Sequence, residues 1–214
     1  MKVILARHGN TFRADESAFY VGSQHDLPLV EFGITQAKLM GRALSKMPPL
    51  TAVFTGPLLR MRATAEWALQ EMHAGIQSTV DVRLNELDYG LWSGLTSQEV
   101  RQRFGDEEYE RWERQSLWPE QGGWGESEQA VVARITDFSE FLIQRYSAND
   151  HILVVASNGC LRYFLKLVNG MFEQQVAKKQ LKIGTGHLCQ LSYHDGQWHL
   201  DFWNQNPAGL VSES

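Results

Sequence analysis

Three short segments hold the residue types that phosphoryl transfer requires. Arg7-His8-Gly9-Asn10-Thr11 sets a cation beside an imidazole directly after the apolar residues 3–6. Thr55-Gly56-Pro57-Leu58-Leu59-Arg60 follows the apolar Ala52-Val53-Phe54 and opens a helical pattern, so Arg60 can point back over a strand end. Residues 84–94 form a glycine-punctuated loop with two carboxylates, Glu86 and Asp88. Two arginines provide planar forks that match phosphoryl oxygens. An imidazole is a competent nucleophile toward phosphorus at neutral pH, and a carboxyl group can protonate the leaving oxygen. The set is complete without a metal, and the remaining histidines, His25, His73, His151, His194 and His199, form no metal-ligand set.

These residues need a frame that brings strand ends together. Residues 3–6 and 152–156 are short, wholly apolar runs, as expected of central strands buried on both faces. Each is followed by a Gly turn and then a helical pattern, which indicates an α/β layer fold whose sites lie at the carboxyl ends of the strands. Helical spacing predicts helices over 33–45 (Ile34, Ala37, Met40, Leu44 inward) and from Pro57 to about 72 (Leu58, Met61, Ala65, Leu69 inward). A long helix over 126–146 turns Val131, Ile135, Phe138 and Leu142 inward, and a further helix spans 161–168. Thr96-Ser97-Gln98-Glu99 has the capping-box pattern. Residues 187–193 and 197–203 alternate around His194-Asp195-Gly196, the mark of a hairpin. No repeat or linker divides the chain, so residues 1–214 are expected to form one domain. Residues 105–124, with Trp112, Trp118 and Trp124, read either as a peripheral segment covering the core edge or as a lid over a substrate pocket.

Taken together, the segments resemble the histidine phosphatase superfamily, the phosphoglycerate mutase-like family named for its RHG motif. Arg7-His8-Gly9-Asn10-Thr11 is similar to that signature. Gly22-Ser23-Gln24-His25-Asp26-Leu27-Pro28-Leu29 with Gly33-Ile34-Thr35-Gln36-Ala37 matches its G-x-x-D-x-P-L…G-x-x-Q-A stretch. Pro57-Leu58-Leu59-Arg60 with Thr64-Ala65 matches its P-L-x-R helix start, with Met61 in place of the usual Ala. Leu84-Asn85-Glu86, then Gly90 and Trp92-Ser93-Gly94, matches its acid loop, and Gly125-Glu126-Ser127 with Arg134 matches a G-E-S…R element of its phosphatases. The resemblance covers residues 2 to about 193.

The resemblance implies a three-layer α/β/α sandwich around a mostly parallel sheet with one antiparallel strand. It implies that His8 is the nucleophile, that Arg7 and Arg60 clamp the phosphoryl group, and that Glu86 serves as acid and then base. Asn10 is implied as a further phosphate contact. Asp88 is near enough to compete with Glu86, though the pattern favours Glu86. One departure stands out: the family's V-x-x-H-G turn is here Val155-Ala156-Ser157-Asn158-Gly159, so Asn158 takes the place of a second histidine. An amide donates a hydrogen bond but brings no charge, which predicts a weakened enzyme. His187, in Gly184-Thr185-Gly186-His187, is the candidate replacement imidazole, with a plain strand-start histidine as the other reading. Arg13 and Arg162 are the remaining cations near these motifs, read as an exposed loop arginine and a structural ion-pair partner.

Composition narrows the alternatives. With 43% hydrophobic and 21% charged residues the chain can bury a full core. A formal net charge of -5 argues against a nucleic-acid binder, so an anionic ligand must be held by a few arginines in a pocket. Apolar runs too short to span a bilayer predict no membrane partner, and two cysteines without metal spacing, Cys160 and Cys189, point to a reducing cytoplasm. The expected activity is hydrolysis of small phosphomonoesters without a cofactor or metal. A phosphoglycerate mutase is the enzymatic rival, but no compact set of extra cations stands between 105 and 124, where acids balance the arginines. A catalytically silent binder of a phosphorylated ligand is the rival from another class. The oligomeric state is not legible in the sequence.

Overall fold

The computed structural model describes residues 1–211. In chain order the elements are β1 (Lys2–Arg7), α1 (Glu31–Leu44), β2 (Ala52–Thr55), α2 (Leu59–Glu71), β3 (Ser78–Val80), α3 (Ser97–Phe104), α4 (Asp106–Gln115), α5 (Glu128–Arg145), β4 (His151–Ala156), α6 (Asn158–Leu161), α7 (Met171–Ala177), β5 (Leu188–His194), β6 (Gln197–Gln205) and α8 (Pro207–Val211). The strands form one sheet in the order β3-β2-β4-β1-β5-β6. β1, β2, β3 and β4 run parallel, and β5 opposes both its neighbours. This is the mostly parallel sheet with one antiparallel strand that the resemblance implies.

The alternation of side chains along the central strands creates the layers. Val3, Leu5, Ile152 and Val154 face one core with Val131, Ile135, Phe138 and Leu142 of α5. Ile4, Ala6, Leu153 and Val155 face the other, where Met40 and Leu44 of α1 meet Met61, Ala65 and Leu69 of α2. Both apolar faces of β1 are thus covered, which is why its sequence carries no polar alternation. Among the described residues no helix is long and apolar enough to cross a membrane.

Register decides where the site forms. Arg7 pairs with Ala156 across β1 and β4, and Thr55 pairs with Val155 across β2 and β4. Three strands therefore end in one row, and the segments that follow them leave from neighbouring points. The first of these, after β1, passes so close to α1 that a Cβ on Gly9 would lie 2.3 Å from the Gly33 carbonyl oxygen, and one on Gly33 would lie 2.2 Å from that of Asn10. Only glycine at both positions permits the approach.

The elements differ from the sequence expectations mostly at their ends. The helix expected over 161–168 is instead the short α6 followed by a tighter 3₁₀ stretch from Arg162 to Leu167. β3, α7 and α8 had no clear periodicity to announce them. The hairpin turns on Asp195 and Gly196, with φ of 54° and 76°, the pair of positive values a two-residue turn demands. The Thr96–Glu99 capping box is present at α3.

Candidate active site

His8 follows β1, only 6% exposed, with its main-chain N–H continuing the sheet onto the Ala156 carbonyl. Its Nδ1 lies 2.7 Å from the Gly9 carbonyl oxygen, which can only accept, so Nδ1 carries the proton. Nε2 is left with a lone pair, and Arg60 Nε donates to it at 3.2 Å. Burial, reinforced by the positive charges of Arg7 and Arg60, holds the imidazole well below its ordinary pKa. The ring is neutral at neutral pH, with its free lone pair directed at a guanidinium. That is the state a nucleophile requires.

The two arginines are held from opposite sides. Arg60, 1% exposed in the first turn of α2, donates through Nη1 to the His25 carbonyl and through Nη2 to the Gly22 carbonyl, both at 2.9 Å. The start of α2 has no cap from its own N-cap residue, Leu58; Asp26 supplies it from a distant loop, accepting from Leu59 N at 2.5 Å. Arg7 donates through Nη1 to the Ile183 carbonyl at 2.5 Å. Burial lowers the pKa of both guanidiniums, and the nearby Glu86 carboxylate opposes that shift.

Glu86 is 8% exposed and tethered by main-chain amides. Its Oε1 accepts from Leu87 N at 2.8 Å and Cys160 N at 3.1 Å, while Oε2 has only a long contact, 3.4 Å, from Gly159 N. A Cβ on Gly159 would sit 2.2 Å from Oε1, so glycine there is a condition of the carboxylate's position. Asp88 instead braces the loop, accepting from Gln24 and from Gly90 N. Arg134 sits behind the loop, paired with Glu126 at 3.0 Å and donating to the Arg83 carbonyl.

Residues 3–206 match the family model described as histidine phosphatase superfamily, branch 1. The chain belongs to the histidine phosphatase superfamily. It is 33% identical over 187 residues to a 2,3-bisphosphoglycerate-dependent phosphoglycerate mutase of Methylorubrum populi, covering 86% of this chain and 85% of that one. Among solved structures, a mycobacterial glucosyl-3-phosphoglycerate phosphatase in complex with VO3 superposes with a TM-score of 0.78 at 28% identity, over 95% of this chain and 98% of that one. An alpha-ribazole-5'-P phosphatase of Escherichia coli shares the fold, with a TM-score of 0.74 at 23% identity over 96% and 97% of the two chains.

Where the superfamily pattern has its second histidine, Asn158 accepts from Ile183 N through Oδ1 at 2.8 Å. That bond fixes the amide, and Nδ2 is left as the donor available to the cavity, whose wall includes Asn158. The Ile183 peptide thus orients both Arg7 and Asn158. Asn10 also lines the cavity, with its amide bonded locally to Phe12 O and Thr11 N. His187 is elsewhere. Its Nδ1 meets Asn204 Oδ1 at 2.9 Å, and it is not among the residues that line the cavity, so the plain strand-start reading describes its position. His25 contributes its carbonyl rather than its ring.

The cavity, about 420 Å³, holds Arg7, His8, Arg60, Glu86 and Asn158 together. Residues 105–124 form part of its wall: Trp112, Glu113, Arg114 and Ser116 face it, while Trp112, Trp118 and Trp124 pack edge to face with one another. Within this segment Arg111 pairs with Glu120 and Arg114 with Glu110, so acids do balance arginines there. The extra cations come from beyond it. Arg162, Lys179 and Lys182 also line the cavity, giving six cationic side chains against Glu86 and Glu113 in a chain of net charge -5. Arg162 departs from the ion pair expected of it, since no carboxylate among the described residues pairs with it. Lys179 and Lys182 lie in a turn whose distance from the motifs hid them from sequence reading. Arg13 is the exposed loop arginine expected, paired with Asp15 and Glu16. Among the described residues no group of three or more His, Cys, Asp or Glu could hold a metal ion.

Proposed function

We propose that the chain hydrolyses small phosphomonoesters through a covalent phosphohistidine on His8. The observation that carries this reading is the neutral, Nδ1-protonated imidazole whose Nε2 lone pair faces Arg60 inside a cation-rich cavity. On substrate arrival the phosphoryl oxygens replace His8 Nε2 as acceptors for Arg60 and take up the unpartnered Arg7 Nε. Nε2 then attacks phosphorus, the P–O bond to the alcohol breaks, and Glu86 gives the departing oxygen its proton. Water attacks the phosphohistidine in the second half, losing a proton to Glu86. Oε2, with its single long amide contact, is the oxygen free to exchange that proton. Fixed guanidinium charge serves in place of a metal. Asn158 Nδ2 supplies a neutral donor where an imidazolium would offset more charge, and the rate is correspondingly lower.

Brief mixing with a phosphate-labelled substrate should leave an acid-labile, base-stable label on the protein, absent in His8→Ala together with turnover. Full activity in His8→Ala refutes the covalent route. A mutase reading is favoured by the additional cavity cations and by the relatives' name; phosphate exchange between 2- and 3-phosphoglycerate, without net release of phosphate, would support it instead.

A further inference from the structure

Arg162 is the one arginine of the cavity wall that has neither a carboxylate nor a main-chain carbonyl to hold its guanidinium among the described residues. It lies flat over Trp112, with Cζ 4.4 Å from the ring centroid, and Nη1 makes only a long contact, 3.4 Å, to Ser116 Oγ. Its Nε is shielded from solvent and has no partner. A guanidinium left this way is unfavourable unless an anion arrives to meet it. The surroundings offer none. Arg162 is near enough to Arg7 that each charge disfavours the other. Glu110, the nearest acid on α4 to face this side, is already paired with Arg101 and Arg114.

The position relative to the phosphoryl site is set by one helical turn. Arg162 N donates to the Asn158 carbonyl, so the two residues stand four apart on one face, with Cβ atoms about 5–6 Å from each other. Asn158 Nδ2 addresses the phosphoryl group in the reading above, and Arg162 addresses whatever extends from it by a few atoms. Lys179 and Lys182 complete this side of the cavity with flexible ammonium groups.

We propose that Arg162 binds a second anionic group of the substrate, a carboxylate or a second phosphate, and thereby selects doubly anionic phosphomonoesters over singly anionic ones. This rests on the phosphohydrolase reading for its kinetic form, and on the cavity alone for its binding form. The kinetic test compares 3-phosphoglycerate and propane-1,3-diyl bisphosphate with glycerol 3-phosphate, whose far end is neutral. The parent should favour one or both of the first two in kcat/KM by about tenfold or more, the scale of one charge-assisted hydrogen bond. Which of them is favoured identifies the second anion. Arg162→Gln should collapse that ratio mainly through KM, and Arg162→Lys should keep part of it. A merely structural Arg162 would lower all three substrates together and leave the ratio unmoved, which overturns the proposal.

Loss of the hydrolase reading would show as no turnover of any substrate. Binding then decides independently: the bisphosphate should raise the thermal midpoint of the parent more than an equal concentration of inorganic phosphate, and Arg162→Gln should abolish the difference. Should that variant not fold, the parent's own preference between these probes still decides. No preference, in kinetics or in thermal shift, overturns the assignment.

Discussion

Gly159→Ala tests how the acid is held. The added Cβ would lie 2.2 Å from Glu86 Oε1, 2.8 Å from Leu87 Cγ and 3.0 Å from Glu86 Cδ, whereas ordinary contact begins at 3.4 Å. The carboxylate oxygen must therefore withdraw by about 1.2 Å, and it cannot do so while keeping its bonds to Leu87 N and Cys160 N. A displacement of about 1 Å costs on the order of 10²-fold in rate, within the range of about 10²–10⁴ ascribed to a positioned acid. That corresponds to about 2.7 kcal/mol of transition-state stabilisation. The loss should depend on the leaving group. An alkoxide needs the proton, so kcat for glycerol 3-phosphate should fall by the full factor. A nitrophenolate leaves without much help, so p-nitrophenyl phosphate should be affected far less. In a Glu86→Gln background the second substitution should add little, since both changes act on one group. Equal losses on the two substrates, or full additivity with Glu86→Gln, would refute the assignment of Glu86 and point to displaced phosphate donors instead.

Other outcomes follow from the same geometry. Asn158→Ala removes the cavity donor and should lower kcat by about 10²–10³-fold, Asn158→His should raise it above the parent by up to about 10²-fold, and His187→Ala, distant from the cavity, should change it little; steady-state kinetics of the three variants decide. His8 has a folded pKa below its unfolded value, so below about pH 6.5 the unfolded chain binds the extra proton and stability falls as the pH drops. Imidazole NMR should show His8 neutral at pH 6, and His8→Gln should soften the acid loss of stability; a titration near the ordinary value contradicts the burial argument. Chelator treatment should leave phosphate release unchanged, and activity restored only by a divalent ion would mean the fixed arginine charges are not what neutralises the substrate.

Much of the frame was legible because it is encoded locally. The apolar runs of β1 and β4 needed no partner to be recognised, and Val131, Ile135, Phe138 and Leu142 are the inward face of α5 as their spacing requires. Asp195-Gly196 specified its hairpin by turn chemistry alone. Residue type and order likewise singled out His8, Arg7, Arg60 and Glu86, which the fold brings to one cavity. The sequence also exposed the exchange at Asn158, because the surrounding motif was otherwise intact.

What each of those residues does was decided by partners far away in the chain. The proton on His8 is assigned by a neighbouring carbonyl and its lone pair by Arg60, 52 positions on. Asn158 takes its orientation from Ile183, and so does Arg7, from 176 positions away. The ion pair expected at Arg162 did not form, and the imidazole of His187 turned to Asn204. Periodicity and turn preference act over a few residues, so a sequence displays them directly. Hydrogen-bond direction, desolvation and charge compensation depend on which atoms meet in space, and only the packed sheet and its loops determine that.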